Sequence, residues 1–209
     1  MDGTNFQRVL RVGVDLMLHP RFTLPYLRRL PLSGRTPISE QLPWFSYAAI
    51  EFLERNLKPS MSVVEWGGGG STMFFANRTA SVFCIESNAE WAHAINSKLN
   101  EQGIRTVSVV VHQFDPVDAA GFAQSPFIRA IGSQRPDVIV IDGYEESAPL
   151  RPMCFSIAEE NIAPGGMIII DDSWRYPIIR KSSKAKSWRE FRSVGPCRYG
   201  VTTTDIHFY

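Results

Sequence analysis

Cysteine is scarce. The chain has three, Cys84, Cys154 and Cys197, in no Cys-x-x-Cys or Cys/His spacing, which argues against a disulfide framework and against a thiolate zinc site. A reducing compartment fits that usage. Long apolar runs are missing as well: none approaches the about 18 residues of a membrane span, and Arg8, Arg11 and Asp15 interrupt the apolar pattern where a signal-peptide core would have to lie. Net charge is almost nil, +1 over 209 residues, and there is no nucleic-acid recognition motif, internal repeat or low-complexity tract. These absences lead us to expect a soluble, cytoplasmic protein with neither a membrane nor a nucleic acid among its partners.

Apolar material is ample: 44% of the residues are hydrophobic, enough for one full core in a chain of the length that buries roughly 70% of its unfolded surface. Residues 1 to 45 read as an accessory helical arm. There Phe6, Val9, Leu10, Val14 and Met17 recur at helical spacing before prolines at 20, 25, 31, 37 and 43 break the pattern. A helix from Tyr47 to Leu57 opens the domain proper, residues 46 to 209. Five apolar runs then read as buried parallel strands: Ser62 to Trp66, Ser81 to Ile85, Thr106 to Val111, Asp137 to Ile141 and Met167 to Ile170. Helices are expected between them, one opening at a Ser87/Glu90 capping box, one between Asp118 and Ile131, and one between Leu150 and Ile162. Thr-rich, alternating Val201 to Tyr209 reads as a closing antiparallel strand. Repeated strand–helix units with right-handed crossovers give an α/β, doubly wound sheet with helices on both faces, whose ligands sit beyond the carboxyl ends of the strands.

Those ends carry acids: Glu65, Glu86, Asp142 and the Asp171-Asp172 pair. One acid beyond a strand is commonly a cap or a brace; several on one rim point to a ligand. The first strand runs into Gly67-Gly68-Gly69-Gly70-Ser71-Thr72, where missing side chains let a ligand approach the backbone. A dinucleotide fingerprint would place glycine at position 72, and Glu65 inside the turn would repel a pyrophosphate while favouring a cationic ligand. Glu86, about 20 residues further on, suits the hydroxyls of an adenosine ribose.

Val64-Glu65-x-Gly67-x-Gly69-x-Ser71, Cys84-Ile85-Glu86-Ser87-x-x-Glu90-Trp91, Ile141-Asp142-Gly143 and Pro164-Gly165-Gly166-x-Ile168-Ile169-x-Asp171-Asp172 resemble, in order, the motifs of class I S-adenosylmethionine-dependent methyltransferases. The last block is similar to that of metal-dependent small-molecule O-methyltransferases of the macrocin type. The resemblance spans about residues 46 to 174 and implies a Rossmann-like, mostly parallel seven-stranded sheet. It implies that Glu65, Gly67, Gly69 and Ser71 hold the methionine end of the cofactor, with Glu65 near its amino group. Glu86 and Ser87 would take the ribose, His112 to Asp115 would lie near the adenine, and Asp142 would border the cofactor. It also implies a Mg²⁺ site at Asp142, Asp171 and Asp172, which would acidify the acceptor hydroxyl. The alternative is that Asp142 braces its loop and Asp172 caps a helix.

One departure concerns the base. The macrocin type has Asp-Gly-Asp where this chain has Asp142-Gly143-Tyr144, so Asp142 is the catalytic residue expected, with Tyr144 or Glu145 assisting. Between Arg175 and Arg198 lie eight basic residues against one acid, Glu190. That segment is either a solvated surface or an overhang in which Arg180, Lys181, Lys184 and Lys186 select an acidic or phosphorylated small-molecule acceptor. The reading is therefore an O-methyltransferase. Its rivals are a non-catalytic module of the same fold and, against the evidence of Glu65 and Thr72, a dinucleotide oxidoreductase.

Overall fold

A computed structural model describes residues 5–31, 34–146 and 149–209. Four helices come first: α1 (Asn5–Leu18), α2 (Thr23–Arg28), α3 (Pro37–Glu40) and α4 (Tyr47–Asn56). The alternating part follows as β1 (Ser62–Trp66), α5 (Gly70–Ala76), β2 (Ser81–Glu86), α6 (Ala89–Glu101), β3 (Val107–Val111), α7 (Ala119–Gln124), α8 (Pro126–Arg129), β4 (Val138–Ile141), α9 (Arg151–Asn161), β5 (Met167–Asp171) and α10 (Pro177–Ser182). The hairpin β6 (Ser187–Val194) and β7 (Val201–Phe208) ends the chain. The sheet has seven strands in the order β3-β2-β1-β4-β5-β7-β6; β1 to β5 are parallel, and β7 runs antiparallel to both β5 and β6.

Side chains alternate across a strand, so each central strand feeds two cores. Val63, Val138, Val140 and Ile169 pack with α4, α5 and the aromatic rings of Phe22 and Tyr26. Val64, Trp66, Ile139, Ile141, Ile168 and Ile170 pack on the other face with α7, α8, α9 and α10. Burial on both faces is why these runs are continuously apolar, each such side chain contributing roughly 1.5–3 kcal/mol. The chain leaves β1 outward to β2 and β3, then crosses back to β4. The β1/β4 seam is therefore the switch point, with Glu65 opposite Val140 and Trp66 opposite Ile141.

Several local expectations shift for identifiable reasons. Asn88, not Ser87, caps α6, its side chain accepting from the Trp91 amide at 2.9 Å, while the Ser87 hydroxyl is turned to the Glu86 carboxylate at 3.3 Å. The stretch 118–131 forms two helices instead of one: Ser125 is extended and caps α8, with Pro126 at its first position. Strand β6 lies inside the basic segment, where its exposed arginines blunt a sheet edge.

The arm is fastened to this frame. Asp15 on α1, 1% exposed, accepts the Val194 amide of β6 at 2.8 Å. The β6–β7 loop is tied back to the arm, with Cys197 N donating to Arg29 O at 3.0 Å and Gly200 N to the Tyr26 hydroxyl at 3.2 Å. Among the described residues, no helix is long and apolar enough to cross a membrane.

Candidate active site

At the switch point β1 ends and the backbone folds sharply. Gly67 N donates to Ile85 O at 2.9 Å, Gly68 N to a Glu86 carboxylate oxygen at 2.9 Å, and Gly69 N to the Thr72 hydroxyl at 2.9 Å. Two of these glycines are dictated by space. Gly67 has φ +86°, and a Cβ on it would lie 2.6 Å from the Gly143 backbone; a Cβ on Gly68 would lie 2.4 Å from Cys84 Sγ. The loops after β1 and β4 thus touch backbone to backbone, and the surface they make is free of side chains.

Beyond them opens a cavity of about 1160 Å³. Its walls include Gly67 to Ser71, Glu86 to Trp91, Gln113, Phe114, Asp142, Tyr144, Arg151, Asp171, Asp172 and Arg198, with Trp44 and Pro37 from the arm side. The structure therefore gathers the expected Gly67, Gly69, Ser71, Glu86, Ser87, Asp142, Tyr144, Asp171 and Asp172 around one space. Glu86 is fixed there by the amides of Gly68, Ser87 and Asn88, at 2.9, 2.7 and 2.8 Å. Of the segment after β3, Gln113 and Phe114 reach the wall, while the His112 amide is held by Glu86 O.

Glu65 and Glu145 are elsewhere. Strand parity turns Glu65 under the start of α5; it is 0% exposed, absent from the cavity wall, and neither carboxylate oxygen has a hydrogen-bond partner. Burial pushes its ordinary value of 4.5 up to about 7, softened by nearby Thr72, Ser71 and Cys84. The folded state then holds a proton that the unfolded chain releases above about pH 4.5, so this group's contribution to stability falls as pH rises through 7. Glu65→Gln removes that dependence. Chemical denaturation is expected to show the variant gaining about 2–3 kcal/mol on the wild type between pH 5 and pH 8; a constant gap across that range would rule out a buried neutral Glu65. Glu145 also faces inward, bonding the Tyr176 hydroxyl, the Arg151 amide at 3.1 Å and Arg175 at 3.2 Å. It is a brace for the loop rather than a group facing the cavity. Tyr144 does face it but is 60% exposed, and its hydrogen bond to Glu146 pushes the hydroxyl pKa up.

Two arginines organise the acidic rim. Arg151, 8% exposed at the head of α9, sends Nε to Gly143 O at 3.1 Å and one terminal nitrogen to Asp171 O at 2.8 Å; the other lies 3.1 Å from Asp142 Oδ1. Arg198, from the β6–β7 loop, reaches Asp171 Oδ2 at 3.3 Å, Asp172 Oδ1 at 2.8 Å and Trp44 O at 2.9 Å. Thr202 and Thr204 each donate a hydroxyl to this pair, at 2.8 Å. Burial lifts Asp142 to about 6 despite Arg151, and burial together with Asp142 raises Asp171. Burial pushes Asp172 up as well, yet Arg198 and Thr202 outweigh it and hold the carboxyl below its usual value.

This arrangement does not fit the expected Mg²⁺ site at Asp142, Asp171 and Asp172. Each carboxylate already faces a guanidinium that a divalent ion would have to repel or displace, and among the described residues no group of three Asp, Glu, His or Cys is gathered to hold a metal. The basic-segment expectation also changes. Arg180 is paired to Asp205 and Glu190, and neither it nor Lys181, Lys184 or Lys186 lines the cavity; Arg198 does. Arg151 went unread in the sequence. The available signal was a lone cation heading an otherwise apolar helix start, Leu150-Arg151-Pro152-Met153-Cys154-Phe155.

No family model and no curated protein matches this sequence. Solved structures do. A putative methyltransferase from Streptococcus mutans in complex with SAH superposes with a TM-score of 0.55 at 13% identity, over 77% of this chain and 96% of that one. A putative rRNA methylase from Clostridium thermocellum gives 0.57 at 15%, over 78% and 96%. The precorrin-6y C5,15-methyltransferase from Geobacter metallireducens gives 0.55 at 14%, over 77% and 87%. The chain has the Rossmann-like methyltransferase fold. Within that fold the seven-stranded sheet and its antiparallel final strand stand as expected from the sequence, and the cavity lies at the methyltransferase fold's β1/β4 switch point.

Proposed function

We propose that this protein is an S-adenosylmethionine-dependent methyltransferase acting on a hydroxyl of a small-molecule acceptor. The observation that carries the reading is Glu86, held by three backbone amides on the wall of a cavity whose adjoining wall is bare glycine backbone. A fixed carboxylate of this kind accepts both hydroxyl protons of a ribose, Phe114 and Trp91 offer flat apolar surface for the adenine, and the Gly67 to Ser71 loop admits the methionine portion. When bound, the cofactor supplies a methyl group on a sulfonium leaving group.

The chain's own part is positioning and proton removal. Asp142, raised to about 6, is ionised at neutral pH and is a better base than an ordinary carboxylate. Arg151 keeps its carboxylate oriented. The acceptor hydroxyl is placed between Asp142 and the Asp172–Arg198 pair, gives its proton to Asp142, and is held in line for transfer. Tyr144 closes the outer side without serving as base, and no metal step is needed.

The test is calorimetric titration with S-adenosylhomocysteine, with NAD for comparison. Micromolar binding of the homocysteine compound alone is expected, weakened about 30–100-fold in Glu86→Ala, as loss of a charged acceptor for two hydroxyls implies. Binding of neither ligand by folded protein, or equal binding by Glu86→Ala, would overturn the proposal.

A further inference from the structure

Helix α1 has two faces, and the chemistry above uses neither. Val12, Asp15 and Leu16 turn toward the sheet. On the opposite stripe Phe6, Val9, Leu10, Val14, Met17 and Leu18 are 52–82% exposed. In α2, Leu24 and Leu27 are likewise 55% and 56% exposed. So contiguous an outward apolar stripe marks a contact surface.

Charge identifies the occupant. From residue 5 to residue 31 the chain has five arginines and one acid, Asp15, and that acid is buried against Val194. Arg21 and Arg29 are paired to Glu51 and Glu40. Arg8, Arg11 and Arg28 take no ion pair with a described residue. Two copies of the chain meeting along this stripe would bring like charges together, with no exposed acid among residues 5–31 to relieve them. An anionic bilayer supplies both missing partners, acyl chains for the stripe and negative headgroups for the arginines. A helix of this length is about 21 Å long, too short to span the hydrocarbon core but well suited to lie in its boundary. The expectation of no membrane contact rested on spanning segments alone, and lying on a membrane makes a different demand.

We propose that α1 and α2 dock flat on an anionic phospholipid surface, with the Phe6–Leu18 stripe in the headgroup–acyl boundary and Arg11 and Arg28, which flank it, among the headgroups. The test is co-sedimentation of the full chain with vesicles of phosphatidylcholine alone or mixed with phosphatidylglycerol. The protein is expected to pellet with the mixed vesicles, to do so less as salt rises, and to stay in solution with the neutral ones. The double variant Leu10→Glu, Val14→Glu is expected to lose binding, and Arg11→Ala and Arg28→Ala each to weaken it on the order of fivefold. Circular dichroism and thermal unfolding of each variant check that these exposed substitutions leave the fold intact. Failure of the wild type to pellet, or pelleting unaffected by the double variant, overturns the proposal. So does a dimer in sedimentation velocity that Leu10→Glu, Val14→Glu dissociates, which would make the stripe a self-interface.

Discussion

Replacing Arg198 with methionine is expected to destabilise the protein by about 3–5 kcal/mol, the cost of breaking a buried ion pair from one side. Among the described residues, Arg198 is the one cation that pairs with both Asp171 and Asp172. Among the described residues its removal leaves Arg151 as the cation beside Asp142, Asp171 and Asp172, so negative charge accumulates where these carboxylates are largely buried. Thermal unfolding is expected to fall by roughly 10 °C at neutral pH and to recover in part as acid protonates the carboxylates. A second readout distinguishes this arrangement from ordinary packing. The freed oxygens of Arg198→Met should bind Mn²⁺, seen by electron paramagnetic resonance, whereas the wild type should not. Arg198→Lys keeps a positive charge but loses the fork, so it should be destabilised and still exclude the ion. Comparable Mn²⁺ binding by wild type and Arg198→Met would show that the guanidinium does not hold a cation's place.

Gly67→Ala is expected to cost about 2–5 kcal/mol and to weaken S-adenosylhomocysteine binding more than about 100-fold, through positive-φ strain and overpacking together. The added Cβ would sit 2.6 Å from Gly143 Cα and N and 2.7 Å from the Asp142 carbonyl carbon, backbone atoms that cannot swing aside. The β1 loop, the β4 loop or both must then move, taking Asp142 with them. Gly103 is the control: its φ is +67°, yet nothing lies within 4 Å of an added Cβ. Gly103→Ala should show strain alone, about 1–2 kcal/mol, with full ligand affinity. Equal effects at the two positions would mean that backbone strain, not the contact between loops, explains the glycine.

The sheet was legible because its central strands are buried on both faces, and buried strands advertise themselves as runs such as Val138–Ile141 and Met167–Ile170. Strand β6 was hidden because its sequence, Ser-Trp-Arg-Glu-Phe-Arg-Ser-Val, is that of an edge with solvent on one side. The glycine loop and Glu86 could be read because strand and turn sit within a few residues of one another. The Arg198–Asp172 contact could not, since it joins residues separated by α10 and β6. Glu65 lies off the cavity wall for a smaller reason: one residue of strand parity decides between the cavity and the underside of α5. The metal expectation failed because a motif reports which carboxylates are present but not which cation faces them.

The hydrogen bonds from Cys197 and Gly200 to the arm give the two ends of the chain a common gear train. Arg29 and Tyr26 grip the same loop whose Arg198 grips Asp172, and Trp44 holds Arg198 from the side. Tyr26 and Arg29 thus meet the acidic rim through one loop, by the contacts Gly200–Tyr26, Cys197–Arg29 and Arg198–Asp172. The arm and the rim therefore share one loop, and a substitution at Tyr26 bears on the segment that holds Arg198 beside Asp172.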